Sequence, residues 1–330
     1  MAPFVSVIVT VKNEEANITT LITSLLNQTL RPDEIVIVDG GSTDRTVETI
    51  ERFVDQGEPI RLFLAPGSNI SQGRNIAISH AYGEIIASTD AGVKLSPDWL
   101  KFLVGAFEKR EDADGGMDVA ADVVSGFFVS DPHSVFEMAM GATVLPNESE
   151  IERETFLPSS RSVAFKKEAW RRVGGYPEWL DYCEDVWFDL EVRKAGYRFV
   201  FVPAAVTHFR PRQNIRQFFK QYYLYARGDG KAALWPKRHF VRYATYVIAP
   251  LALLLGFWYK LLWLLLIGAS AVYLQRPYWR LWPVIKASRR SEQLEAILWV
   301  PLIRLVGDVA KMVGYPAGVW WRLRNGKPNA

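Results

Sequence analysis

Cysteine is almost missing from this chain: of 330 residues, only Cys183 carries a thiol. A single cysteine excludes a disulfide framework and a cysteine-built metal site, and it suits a reducing compartment. A leader is not expected either. Phe4-Val-Ser-Val-Ile-Val-Thr-Val11 opens directly as a strand, without a basic n-region or a cleavage-like site, so no signal peptide is expected. That strand runs into Lys12-Asn-Glu-Glu15 and not into a Gly-rich phosphate turn, which weakens a soluble NAD(P)-binding enzyme as the reading. Internal repeats and low-complexity segments are absent. Nor is there an uncharged run of the roughly 20 residues that a straight membrane span needs. The two best candidates are Tyr243–Tyr259, with 17 residues, and Leu261–Gln275, with 15.

Charge is present but unevenly spread. Residues 210–330 hold 20 Lys and Arg against 4 Asp and Glu, while the rest holds 19 against 32. The basic part also has 8 of the 12 Trp, from Trp235 to Trp321. An acidic body with a basic tail points to an anionic surface. Nucleic acid would attract such a tail, but it has no use for the interleaved aliphatic runs, and a membrane interface does. The two apolar runs read as a hairpin of short helices turning near Gly256–Lys260, because a single helix would bury Lys260 near mid-bilayer. Lys237, Arg238 and Arg242 flank one end and Arg276 and Arg280 the other, which would set both ends on the cytoplasmic side. Leu294–Val313 carries Arg304, Asp308 and Lys311 and reads as an interfacial amphipathic helix. A very hydrophobic soluble helical domain is the alternative.

The N-terminal half reads as alternating strands and helices, hence a mostly parallel sheet with right-handed crossovers. Strands are expected at Val5–Val11, Ile35–Val38, Ile60–Leu64, Glu84–Ser88 and Phe199–Val206. Helices are expected at Glu14–Asn27 with Asn13 as its cap, Thr43–Val54, Gln72–Ala81 capped by Ser71, from Ser96-Pro97, and at Asp185–Ala195. Glu111–Asp118 reads as a polar loop. Asp39 and Asp90 close two of the apolar runs. In an open α/β sheet ligands bind outside the carboxyl ends of strands, so acids there point to a polar or metal-bound ligand.

Five segments occur in a telling order: Val5-Ser-Val-Ile-Val-Thr-Val-Lys-Asn-Glu-Glu15, Ile37-Val-Asp-Gly-Gly-Ser-Thr-Asp-Arg-Thr46, Gly73-Arg-Asn75, Thr89-Asp-Ala-Gly-Val93 and Tyr182-Cys-Glu-Asp-Val-Trp187. Together they resemble the family 2 glycosyltransferases, which have the GT-A fold, an α/β class with a Rossmann-like sheet. The resemblance covers roughly residues 4–230. It implies a nucleotide-diphosphate sugar donor and, mostly, inversion at the anomeric carbon. A catalytic domain is then expected over 1–230 and a membrane-associated helical region over 231–330, with the hairpin at about 243–275 and the amphipathic helix at about 294–313.

The resemblance also implies roles. Asp39 would accept hydrogen bonds from the base or ribose, and Thr10, Asn13 and Glu14 would complete that pocket. Arg74 would neutralise the diphosphate or bond the nucleoside, unless it is only a surface arginine. Gly73 would let the backbone approach closely. Asp90 matches the first acid of the family's Asp-X-Asp metal motif, but this chain reads Asp90-Ala91-Gly92 and lacks the second. A Mn²⁺ or Mg²⁺ ion would then rest on Asp90, the diphosphate, water and His208. His208 also reads as a structural histidine at a strand end. Asp185 would be the base that takes the acceptor's proton, with Glu184 orienting the acceptor or Asp185. Arg210, Arg212 and Arg227 are candidates for a lipid-phosphate or lipid-linked acceptor. The family's processive Gln-X-X-Arg-Trp motif is not matched: Gln221 and Arg227 are spaced differently and no Trp follows.

The expectation is a membrane-attached, inverting glycosyltransferase on the cytoplasmic face of the inner membrane, acting on a lipid or lipid-linked glycan. A polyprenyl-phosphate glycosyltransferase and a catalytically silent sugar-nucleotide binder remain open.

Overall fold

The computed structural model describes residues 3–108, 110–111, 117–118 and 120–326. In chain order the elements are β1 (Val5–Val11), α1 (Ile18–Leu26), β2 (Glu34–Asp39), α2 (Thr46–Asp55), β3 (Ile60–Leu64), α3 (Ile70–His80), β4 (Ile85–Asp90), β5 (Val93–Leu95) and α4 (Trp99–Gly105). Then come β6 (Arg110–Glu111), β7 (Met117–Asp118), β8 (Val123–Ser130), α5 (Val135–Val144), β9 (Val163–Lys166), α6 (Lys167–Val173), α7 (Glu184–Lys194) and β10 (Phe199–Phe209). Four helices follow: α8 (Ile215–Ala232), α9 (Pro236–Leu255), α10 (Leu261–Ile285) and α11 (Arg290–Asn325). The chain divides into two compact units: residues up to Val129 with Glu148–Phe209, and Ser130–Asn147 with Arg210 onward.

The first unit is built on an eight-stranded sheet in the order β3-β2-β1-β4-β9-β8-β10-β5. The β-branched alternation of β1 explains its place in the middle. Val5, Val7, Val9 and Val11 enter one core with α1 and α4, while Ile8 enters the core of the opposite face with α3, α6 and α7. The four strands β3, β2, β1 and β4 are parallel, as expected. The expectation of a mostly parallel sheet fails beyond them: β9 runs antiparallel to β4, β8 to β9 and β5 to β10, so the sheet is mixed. Parallel neighbours need a crossover element, which α1, α2 and α3 supply between the first four strands. The later strands lack that regular alternation.

Register is what positions the site. Val11 lies opposite Asp39, and Thr10 lies opposite Asp90. The carboxyl ends of three adjacent parallel strands therefore finish level, with an acid on either side of β1. The polar loop expected at 111–118 is closed by β6 and β7, which pair antiparallel, and its residues 112–116 lie outside the described residues.

The second unit is helical, with a core of Phe136, Met140, Phe218, Leu281, Val300 and Ile303 among its members. Gly314 and Gly318, about one turn apart on α11, let its backbone lie against Tyr223 and Arg227 of α8, where a Cβ would overlap the main chain. Over the expected 243–275 the chain forms α9 and α10, joined through Gly256–Lys260, and the two helices together run beyond that range at both ends. α11 is also longer than the expected 294–313. The charges that marked it as interfacial turn towards neighbouring helices: Asp308 accepts from Arg242 Nε at 2.8 Å, Arg304 sits 4.3 Å over the Tyr273 ring, and Lys311 sits 4.8 Å over Tyr222. Among the described residues no helix is long and apolar enough to cross a membrane, so a transmembrane helix is not supported.

Candidate active site

Two loops interlock at the ends of β1 and β2. Asp39 is buried, and its Oδ1 accepts from the backbone N–H of Gly41 at 2.9 Å and of Ser42 at 2.8 Å. Ser42 Oγ donates to Oδ2 at 2.5 Å. Asp39 thereby shapes its own Gly-Ser turn. Asn13, expected as a helix cap, instead adopts a left-handed backbone at φ 56°. Its N–H donates to Ser42 Oγ at 2.8 Å and its side-chain carbonyl accepts from Thr43 N–H at 2.8 Å. Asn tolerates that conformation better than most non-glycine residues, and here the two hydrogen bonds hold it. Glu14 N–H donates to Thr46 Oγ1 at 2.8 Å, so α1 starts only at Ile18.

α3 begins at a capping box of Asn69 and Gln72, leaving Ser71, the expected cap, to donate to the Leu180 carbonyl at 3.0 Å. A Cβ on Gly73 would stand 2.9 Å from Thr10 Cγ2, so any side chain there would force Thr10 or α3 to shift. Arg74 follows, and the structure overturns its reading as a surface arginine. It is 3% exposed, with Nη1 2.5 Å from Glu184 Oε1 and Nη2 3.2 Å from Asp90 Oδ1. Its guanidinium carbon lies 5.3 Å from the centroid of the buried Tyr176 ring.

Glu184 and Asp185 open α7 after Cys183, another left-handed non-glycine residue at φ 63°. Glu184 is buried; Asp185 is half-buried and accepts from Val186 N–H at 2.9 Å. Burial and the adjacent Asp185 charge push Glu184 up to about 7, against the pull of Arg74. Burial works against the Arg74 charge, yet Glu184 and Asp90 hold its pKa above the ordinary value, so Arg74 stays charged and Glu184 is the member of the pair that titrates. Asp189, one turn further on, is buried and pushed well up, first by burial and then by Asp185. Its Oδ2 has no hydrogen-bond partner, which suits a protonated acid.

The structure thus gathers Thr10 and Gly73 in one contact, and Arg74, Asp90 and Glu184 in one ion cluster. His208 is not part of that cluster. It lies within β10, which runs on to Phe209, pairs in register with Lys94 of β5, and sets Nε2 3.2 Å from Ser96 Oγ. Arg210 has a structural partner: its Nε lies 3.0 Å from an oxygen of the buried Glu137. Arg212 is exposed, and Arg227 is on α8. Sequence reasoning missed Tyr176, Asp189 and Arg161. Arg161 Nε is 3.5 Å from Asp90 Oδ2, and nothing local marks it, because its partner is distant in sequence.

Against known proteins, the profile of "Glycosyl transferase family 2" matches residues 6–161 and that of "Glycosyl transferase family group 2" matches residues 134–305. This chain is a family 2 glycosyltransferase. Among curated relatives, an uncharacterized glycosyltransferase of Haemophilus influenzae is 32% identical over 30% of this chain and 40% of its own length. Succinoglycan biosynthesis protein ExoA of Rhizobium meliloti is 29% identical over 66% of this chain and 67% of its own. Among solved structures, the Pyrobaculum calidifontis mannosyltransferase PcManGT superposes with a TM-score of 0.55 at 20% identity, over 99% of this chain and 88% of that one, which supports the GT-A-like fold. That mannosyltransferase was solved with GDP-Man and Mn²⁺.

For this glycosyltransferase the divalent cation that the resemblance implies must be tested against its own donor set. Among the described residues no group of three His, Cys, Asp or Glu is placed to hold a metal. Each oxygen of Asp90 faces a guanidinium, and Gly92 replaces the second acid with open space around it. These residues do not fit a protein-built cage for a divalent cation, which wants several oxygen ligands.

Proposed function

We propose that this enzyme moves one sugar, with inversion, from a nucleotide-diphosphate sugar to a lipid or lipid-linked glycan of the cell envelope. The observation that carries the reading is the ion cluster joining Asp90, at the strand end, to the Glu184–Asp185 pair through Arg74. Donor side and acceptor side are held by one guanidinium. In the reaction, Asp185 takes the proton of the acceptor hydroxyl while that oxygen bonds the anomeric carbon. The bond from that carbon to the diphosphate oxygen breaks, and its electron pair leaves with the nucleotide. Arg74 sits where that negative charge develops, in a buried setting where charge stabilisation is strong. Glu184 holds Arg74 in place, and the Asp39 turn with Thr10, Asn13 and Glu14 frames the nucleoside.

The acceptor reading has two supports. Trp179 and Trp187 meet edge to face, with centroids 6.3 Å apart, on the loop and helix that carry Glu184 and Asp185. Aromatic faces there suit a sugar ring and favour a glycan over a bare phosphate. A relative named for succinoglycan biosynthesis fits an envelope or exported glycan. Attachment to a membrane, on our reading the cytoplasmic face of the inner one, draws its support from the apolar exposure of the hairpin, including Trp258 at 76% and Val272 at 71%. A patch of that extent is unusual on a soluble protein, and short helices would seat it in one leaflet.

The test is nucleotide release by the detergent-solubilised chain, with UDP-, GDP- and dTDP-sugars and lipid extract from the source cells. Release from one donor that requires the extract is the expected result. Nucleotide binding without release from any donor would leave a silent binder, and a product whose sugar is freed by mild acid would make the enzyme a polyprenyl-phosphate glycosyltransferase.

A further inference from the structure

Asp90 has an unusual setting for the first acid of a metal motif. Nη2 of Arg74 approaches one oxygen at 3.2 Å and Nε of Arg161 approaches the other at 3.5 Å. Both arginines are fixed by more than this acid. Arg74 is buried against Glu184 and Tyr176. The carbonyl of Arg161 accepts from Thr89 Oγ1 at 3.0 Å, and its guanidinium carbon lies 4.9 Å from the Phe209 centroid and 6.0 Å from that of Phe128. The Arg161 side chain is 24% exposed and that of Asp90 31%, so the bracket reaches the surface of the site.

We infer that Arg161 and Arg74, bracketing Asp90, receive the donor's diphosphate in place of a divalent cation, so that nucleotide binding is metal-independent. The inference rests on the nucleotide-sugar reading above. Its physical basis is a charge balance. The two guanidiniums bring the two positive charges that a divalent cation would bring. A divalent cation at Asp90 would have to sit about 2–2.5 Å from an oxygen that already faces a guanidinium, against the repulsion of both arginines. A guanidinium fork matches two phosphate oxygens directly. Crowding at the backbone does not explain the missing acid: a Cβ at Gly92 would meet no atom within 4 Å.

The experiment is calorimetric titration of the full chain in detergent with UDP, GDP and dTDP, in EDTA and in Mn²⁺. One nucleotide is expected to bind with affinities within about threefold of each other in the two buffers. Arg161→Ala should weaken binding in EDTA about ten- to a hundredfold, the loss of one charge-assisted contact. Arg161→Lys, which keeps the charge, should lose less, and Gly92→Asp should make binding Mn²⁺-dependent. Binding by the native chain only with Mn²⁺ overturns the inference and leaves the donor reading intact, as does full affinity in a folded Arg161→Ala variant. No binding of any nucleotide in either buffer overturns both.

Discussion

Replacing Arg74 by Met removes one guanidinium from between two acids while keeping much of the side-chain volume. Breaking a buried pair by deleting one partner typically costs about 3–5 kcal/mol, because the remaining charge is left uncompensated. Glu184, at 5% exposure, is that charge. The cost must depend on pH, and the sign is fixed. Glu184 already sits at about 7, above the ordinary 4.5, through burial and Asp185. A carboxyl whose folded-state pKa is raised adds stability below its unfolded pKa, and that stability is lost as pH rises through the folded value. For the native chain the window runs from about 4.5 to 7. Without Arg74 it extends upward. At pH 5.5 Glu184 is protonated in both proteins, and the variant loses only charge-assisted hydrogen bonds and the Tyr176 contact, about 1.5–3 kcal/mol. At pH 8 the native Glu184 is ionised, and the variant must either bury that charge unpaired or hold a proton against the solvent, so the penalty rises towards its full value. At about 2–4 °C per kcal/mol for a protein of this size, the melting temperature should fall by roughly 6–20 °C at pH 8 and clearly less at pH 5.5. Nucleotide-free protein in detergent, melted across pH 5.5–8, is the assay. A deficit equal at both ends, or larger in acid, would refute the account of the cluster.

Two further results are expected. Asp185→Asn should lower turnover by about 10²–10⁴-fold, the usual worth of a general base, with nucleotide affinity retained in a titration; turnover near the native rate removes Asp185 from the reaction. The full chain should float with liposomes containing anionic lipid, and Trp258→Glu with Val272→Glu should reduce flotation severalfold; recovery of the native chain in the lipid-free fraction ends the membrane reading.

The parallel half of the sheet was legible because its signals are local: β-branched runs, helical spacing and acids closing strands. The same locality marked Asp39 and Asp90, while Glu184 and Asp185 came with the family resemblance. What escaped depends on distance along the chain. Arg161 meets Asp90 and Arg74 meets Glu184 only through the fold, so one was missed and the other was left as a possible surface residue. Asn13 and Ser71 are good caps by type, but tertiary partners at Ser42, Thr43 and Leu180 claimed them. The antiparallel strands gave no warning, because residues that fit a buried strand fit either direction. Arg304, Asp308 and Lys311 misled in the opposite sense: their charge reads as a wet face, and rings and partner ions receive them instead.

The second unit is assembled from two separated stretches of chain, and this governs the order in which it can form. During synthesis α5 emerges long before α8, α10 and α11. Until Phe218, Leu281, Val300 and Ile303 arrive, Phe136 and Met140 have no core to join. Closing that core late in the chain's growth is slow, since distant contacts must await loop closure, and it leaves an apolar helix uncovered meanwhile. A chain halted before α8 would therefore expose Phe136 and Met140, whereas one halted after α11 would bury them.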